Sequence, residues 1–261
     1  MTSARVAFIT GASRGIGKQL AIDFAAHGYD VVCLARSTSD QPTKLPGTVD
    51  DTAELVRQQG RRALAFGVDL QNEAQLRAAV DRAFDELGRI DVLVNNAAIA
   101  VPGPTLPQPM RKWRLAMEIN VNAPLVLMQA ACPRMGAAGG GHVINVSSGA
   151  VDMPEFGRTS YTVTKAALES LTRCLAQELA PTHVAVNVVR IDLTIWSEGF
   201  VFTLPGIDTS NFEDAVIMSD ACLWLVQQPF NYTGKILTIT GLREQGIVRP
   251  CTRVGPRTLT P

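Results

Sequence analysis

The chain has 261 residues, 46% of them hydrophobic and 18% charged, with 24 basic and 24 acidic side chains and a formal net charge of zero. That balance leaves material for a large buried core, gives no reason to expect disorder, and offers no basic face for nucleic acid or an anionic membrane. Five scattered cysteines without a CxxC and three dispersed histidines argue against a disulfide scaffold or a metal site.

The N-terminal "MTSARVAFITGAS" has no long apolar run before a cleavage site, and no uncharged apolar segment of membrane-spanning length follows. The expectation is a cytoplasmic protein with no membrane partner. From there, short apolar runs alternate with segments of helical period. "RVAFIT" (5–10) precedes a helix over about 16–27, and "DVVCLA" (30–35) precedes a polar insertion and a helix over about 50–59. "RALAFGV" (62–68) leads to a helix over 73–87, then "DVLVNN" (91–96). "HVINVSS" (142–148) and "VAVNVV" (184–189) flank another helix, and a last helix near 212–227 precedes "KILTIT" (235–240). Strands apolar throughout are expected where helices cover both faces of a parallel sheet. The prediction is a single α/β domain over 1–241, a doubly wound, seven-stranded parallel Rossmann fold. It carries a substrate loop at about 191–212 and an aperiodic tail over 242–261.

"TGASRGIG" (10–17) stands between the first strand and the first helix. Gly11, Gly15 and Gly17 suit a tight turn, close approach of backbone to a phosphate, and close helix–strand packing, with the helix N-terminus facing the pyrophosphate. The second strand ends "CLARS", without the acidic residue that takes ribose hydroxyls when NAD is bound. Arg36 just past it and Arg14 within the glycine loop suit a 2′-phosphate instead, so NADP(H) is favoured over NAD(H).

In "YTVTKAALESL" (161–171) a tyrosine and a lysine stand one helical turn apart, on the same face. An ammonium at that distance is expected to lower the phenol's pKa, suiting Tyr161 to acid–base work near neutral pH. With TGASRGIG, NNAA and YTVTK in this order, the chain resembles the short-chain dehydrogenase/reductase family over about residues 5–240. The resemblance implies a catalytic set of Asn120, Ser148, Tyr161 and Lys165, with Ser148 thirteen residues before the tyrosine. It implies cofactor contacts from Gly11, Ser13, Arg14, Gly15, Ile16, Gly17, Arg36, Asp69, Leu70, Asn96, Ala97, Tyr161 and Lys165. In relatives Asn95, Asn96 and Ala97 match an NNAG motif that steadies the central sheet, and here Ala98 replaces its glycine. The "KLPGT" stretch (44–48) is similar to the hydroxysteroid-dehydrogenase-like branch. Ser147 alternates to the opposite strand face from Ser148, and Asn120 has a second reading as a group that satisfies helix backbone near Pro124.

One departure stands out. Where the family has a Pro-Gly turn facing the nicotinamide, this chain has Ile191 and Asp192, which leaves Thr194 as the alternative contact. The apolar loop residues Ile195, Trp196, Phe200, Val201, Phe202 and Leu204 imply a small-molecule carbonyl or alcohol substrate with apolar surface. Glu155, Arg158 and Glu198 are candidate polar contacts. As in relatives, apolar helices around 125–135 and 166–179 imply a homodimer or homotetramer. A non-catalytic NADP-binding protein is the competing reading, supported by the altered turn alone.

Overall fold

The computed structural model describes residues 4–203 and 206–250. Seven parallel strands form one sheet in the order β3-β2-β1-β4-β5-β6-β7. They are β1 (Val6–Thr10), β2 (Asp30–Ala35), β3 (Ala63–Gly67), β4 (Val92–Asn95), β5 (Gly141–Ser148), β6 (Val184–Ile191) and β7 (Ile236–Thr238). The helices are α1 (Gly15–Ala26), α2 (Val49–Arg57), α3 (Glu73–Leu87), α4 (Met110–Met117), α5 (Ala123–Ala137), α6 (Thr159–Leu179), α7 (Glu198–Thr203), α8 (Val216–Leu225) and α9 (Ile239–Glu244). Strand order reverses between β1 and β4, which opens a crevice at the carboxyl ends of both, the place where open α/β sheets take ligands.

Successive strand residues feed opposite cores. Ala7 and Ile9 pack with Leu20 of α1, Val49 of α2 and Ile217 of α8, while Val6 and Phe8 pack with Leu76 of α3, Leu127 of α5 and Ala176 of α6. Two buried asparagines tie the sheet to a covering helix. Asn95 donates to Asn145 at 2.8 Å, and Asn145 donates to Thr172 of α6 at 2.8 Å, so β4, β5 and α6 are tied together below the crevice.

Three boundaries differ from the sequence reading. The last helix begins at Val216, because Glu213 pairs in a β-bridge with Ile195 and Asp214 caps the Val216 N–H at 3.1 Å. "KILTIT" stops as a strand at Thr238, whose hydroxyl accepts from the Gly241 N–H at 3.0 Å and starts α9. The expected domain boundary at 241 therefore falls inside α9, and Leu242 and Val248 are buried in the α1-side core. Residues 251–261 of the expected tail, and Leu204 of the expected loop, lie outside the described residues. One helical run, 110–137, is long and apolar enough to cross a membrane by length and composition, and half of its most apolar window is buried inside the fold.

Candidate active site

The glycine loop follows β1 at the crevice. Its Gly11 N–H donates to the Leu34 carbonyl at 2.7 Å, which turns the chain sharply into α1. Gly17 faces the back of this turn. A Cβ there would stand 2.2 Å from the Gly11 oxygen and 2.6 Å from Asn96 Nδ2, closer than any real contact. Asn96 in turn donates to the Thr10 carbonyl at 2.9 Å, and the Asn96 and Ala97 N–H groups both reach the Thr10 hydroxyl at 3.0 Å. The NNAA segment thus braces the loop from below. The result is a backbone cradle at the N-terminus of a twelve-residue helix, which fits a dinucleotide pyrophosphate. Ser13 is buried in the turn, Ile16 packs on the adjacent core and Leu70 on the opposite one.

The two arginines differ. Arg14 points into the polar insertion and donates to the Pro46, Leu45 and Gly47 carbonyls and to the Thr43 hydroxyl, at 2.8 to 3.1 Å. Its guanidinium is held below its ordinary pKa, first by desolvation and then by the Arg36 charge, while Glu198 opposes the shift. Arg36 is exposed past β2 and makes no hydrogen bond or ion pair among the described residues. Asp69, at the end of β3, accepts from the Gln71 N–H at 3.1 Å.

Tyr161, Lys165 and Ser148 come together from α6 and β5. The Ser148 hydroxyl accepts from the Ala150 N–H at 3.2 Å and lies near enough to the Tyr161 phenol to lower its pKa as a hydrogen-bonding partner. Lys165 is 2% exposed and donates to the Val146 carbonyl at 2.7 Å, with its Nζ 5.7 Å from the Tyr161 ring centroid. The expected effect of the ammonium on the phenol is corrected here. Burial raises the Tyr161 pKa above its ordinary value, and the groups that oppose this are the Ser148 hydroxyl and Arg158, whose guanidinium lies 5.2 Å from the ring centroid. Lys165 itself is pulled down to about 8 by desolvation, with the Glu169 carboxylate opposing.

Asn120 is buried in a π-helical turn, Glu118–Asn122, between α4 and α5. Its side chain is consumed by structure: it donates to the Ile99 carbonyl and the Thr164 hydroxyl at 2.9 Å and accepts from the Ile99 N–H at 2.8 Å. Its carbonyl has lost its α-helical donor, because the residue four positions on is Pro124, which has no N–H. π-Turns of this kind concentrate at functional sites.

In the substituted turn, Asp192 accepts from the Thr240 N–H at 3.1 Å and from the Thr240 hydroxyl, latching the end of β6 to α9. Thr194 is exposed, and its carbonyl accepts from the Glu213 N–H at 2.8 Å. The loop expected over 191–212 folds partly into α7, which leans on the glycine loop. A Cβ on Gly15 would stand 2.9 Å from Ser197 Cβ and 3.5 Å from a Glu198 carboxylate oxygen. Phe200 packs edge-on against Phe212 at 5.4 Å. Sequence reasoning missed Thr164, Glu169 and Arg190. Only Glu169 carried a local signal, one turn beyond Lys165 on the same face.

Comparison with known proteins agrees with this geometry. A family model described as short chain dehydrogenase matches residues 5–194. Hydroxysteroid dehydrogenase-like protein 2 of Bos taurus is 32% identical over 250 residues, 92% of this chain and 58% of that protein. The chain therefore spans little more than half the length of that relative. The 7alpha-hydroxysteroid dehydrogenase of Escherichia coli (strain K12) is 32% identical over 246 residues, 91% of this chain and 93% of that protein. Among solved structures, a metagenomic short-chain oxidoreductase in complex with NADP superposes with a TM-score of 0.74 at 28% identity, covering 89% of this chain and 96% of that one.

Proposed function

The chain belongs to the short-chain dehydrogenase family, and from that premise we propose that it is an NADP(H)-dependent oxidoreductase that interconverts a ketone and a secondary alcohol on an apolar, hydroxysteroid-like substrate. The coarser chemistry, carbonyl–alcohol interconversion with a nicotinamide cofactor, follows from the family. The observation that carries the finer reading is the meeting of Tyr161 with Ser148 at the end of β5, with Lys165 buried behind them and bonded to the Val146 carbonyl.

In the reductive direction Tyr161 gives its phenolic proton to the substrate oxygen. Its raised pKa keeps that proton in place at neutral pH until an acceptor arrives. Ser148 bonds the same oxygen and steadies the negative charge that develops on it. Lys165 lends a positive charge to the tyrosine side of the site and stands ready for the cofactor's ribose. The Asn120 carbonyl, short of its helical donor, holds water on the route by which Tyr161 is reprotonated. A bound nicotinamide supplies or takes up the hydride. Preference for NADP(H) rests on Arg36, which lies exposed where a 2′-phosphate would be read. The apolar substrate is supported by Met153 and Phe156, exposed between Ser148 and Tyr161, and by Phe202 on α7. Self-association through α5 and α6 completes the proposal.

The test is a panel of hydroxysteroids and other secondary alcohols and ketones, followed by NADPH absorbance, with Tyr161→Phe as control. Turnover in the parent that is lost in Tyr161→Phe, with NADPH binding retained, is expected. Equal turnover in both refutes the role of the phenol.

A further inference from the structure

Behind the Tyr161–Lys165 face lies a buried charge cluster that the chemistry above does not use. Glu169, on α6 one turn past Lys165, is 3% exposed. One of its oxygens accepts from the Ser147 hydroxyl at 2.6 Å and from Arg190 Nε at 2.9 Å, and the other from Arg190 Nη2 at 2.6 Å. The remaining Arg190 arm donates to Asp152, just after the short turn Gly149–Val151 that follows Ser148. Ser147 and Arg190 are direct partners in the register of β5 and β6.

The cluster joins the three segments that bear the site. α6 carries Tyr161 and Lys165, β5 ends in Ser148, and the Asp152 turn leads from one to the other. Apolar residues of equal volume would pack such a position as well or better, because ions must be desolvated to be buried. A fully bonded carboxylate at this place is therefore explained by what it does to its neighbour.

On the premise of the oxidoreductase reading, we propose that Glu169 is a positioning residue, clamped by Arg190 and Ser147, that keeps Lys165 charged and aligned with Tyr161 and Ser148. Glu169 is the one group whose charge supports the Lys165 ammonium against burial. The other charges around this stretch of α6 face elsewhere. Arg158 covers the Tyr161 ring, Asp152 is taken by Arg190, and Glu118 of the packed π-turn accepts from Asn122. Arg111, Lys112 and Arg114 of α4 are exposed. Removing the Glu169 charge lowers the pKa of Lys165, so the ammonium is lost at lower pH and the alkaline limb of kcat/KM moves down. From a start at about 8, a fall of about one unit cuts the charged fraction at pH 8 from about a half to about a tenth, roughly a fivefold loss of rate.

The experiment titrates 13C-labelled lysine by NMR, where the five lysines of the chain give few signals, alongside pH–rate profiles. Glu169→Gln is expected to bind NADPH as the parent does, with the Lys165 midpoint and the alkaline limb both displaced downward. Glu169→Asp keeps the charge but cannot span Ser147 and the Arg190 fork together; its midpoint stays near the parent's and its kcat falls at unchanged KM. A folded Glu169→Gln with both pH values unmoved overturns the proposal. If that variant does not fold, a Glu169→Asp protein with parental kcat overturns it instead. The lysine titration needs no substrate, so a parent that turns over nothing while the midpoint still moves sinks the oxidoreductase reading and leaves the Glu169–Lys165 coupling standing.

Discussion

Glu198→Gln is expected to tighten dinucleotide binding. The Glu198 carboxylate lies beside Gly15, at the first residue of α1, and its Oε2 is buried without a hydrogen-bond partner. α1 has no acidic residue in its first turn and no side-chain cap, so Glu198 supplies the anion that this helix end attracts. A pyrophosphate needs the same N–H groups, and the carboxylate must swing aside or repel it. Two unit charges about 5 Å apart repel by ~3 kcal/mol at an effective dielectric of about 20, an upper bound because the side chain can turn outward. A charge at a helix end contributes ~1 kcal/mol, which sets the low end. A net gain of ~1 to 2 kcal/mol corresponds to a Kd lower by about fivefold to thirtyfold. Calorimetry or NADPH fluorescence on the substrate-free protein at low salt measures it. A Gln variant with parental Kd would show that the carboxylate does not contest the cradle.

Gly17→Ala forces a methyl against the Gly11 oxygen; overpacking of this kind costs ~1–3 kcal/mol. Thermal denaturation should show it as a lower Tm, by roughly 2–4 °C per kcal/mol, with NADPH and NADH binding lost together. Arg36→Asp is expected to reverse cofactor preference, since a charge-assisted hydrogen bond contributes ~1.5–3 kcal/mol, at least about tenfold in the ratio of the two Kd values. Arg14→Ala, which frees the 43–47 loop, should weaken NADPH and NADH by similar factors; an effect confined to NADPH would place Arg14 on the 2′-phosphate.

The sheet, the glycine cradle and the Ser148–Tyr161–Lys165 grouping were legible because each depends on local spacing. Strand alternation put Ser147 and Ser148 on opposite faces, the serine–tyrosine spacing of the family that the chain resembles selected Ser148, and helical periodicity put Tyr161 and Lys165 on one face. What escaped depends on where long side chains point once distant segments meet. Arg14 is turned into the insertion by four acceptors that become available only when the chain folds back over the glycine loop. Glu169 and Arg190 find each other across α6 and β6, and each alone reads as an exposed helix glutamate and a strand-end arginine. Glu198 reaches Gly15 only because the Ile195–Glu213 bridge anchors the segment in front of α7. The start of α9 had a weak readable signal, since Thr238 is among the residues favoured at an N-cap.

The Tyr161–Lys165 pair shows why spacing alone misjudges acidity. An ion pair considered in isolation counts only the attraction between ammonium and phenolate, and so predicts a lowered pKa. Burial acts on both groups in the opposite sense, raising the phenol and lowering the ammonium. Lys165 also commits one of its three donors to the Val146 carbonyl. In the free protein the proton therefore stays on the phenol, the form that donates to a carbonyl oxygen. The groups that oppose this rise are the Ser148 hydroxyl and the Arg158 guanidinium over the ring. Oxidation of an alcohol needs the opposite form, a phenolate, and draws on every positive charge within reach: Arg158 above the ring, and Lys165 for as long as Glu169 holds it charged. The two directions therefore place different demands on one residue, and the Glu169 cluster weighs on the oxidative one. Loss of the Glu169 charge should accordingly slow alcohol oxidation more than carbonyl reduction at the same pH above neutrality.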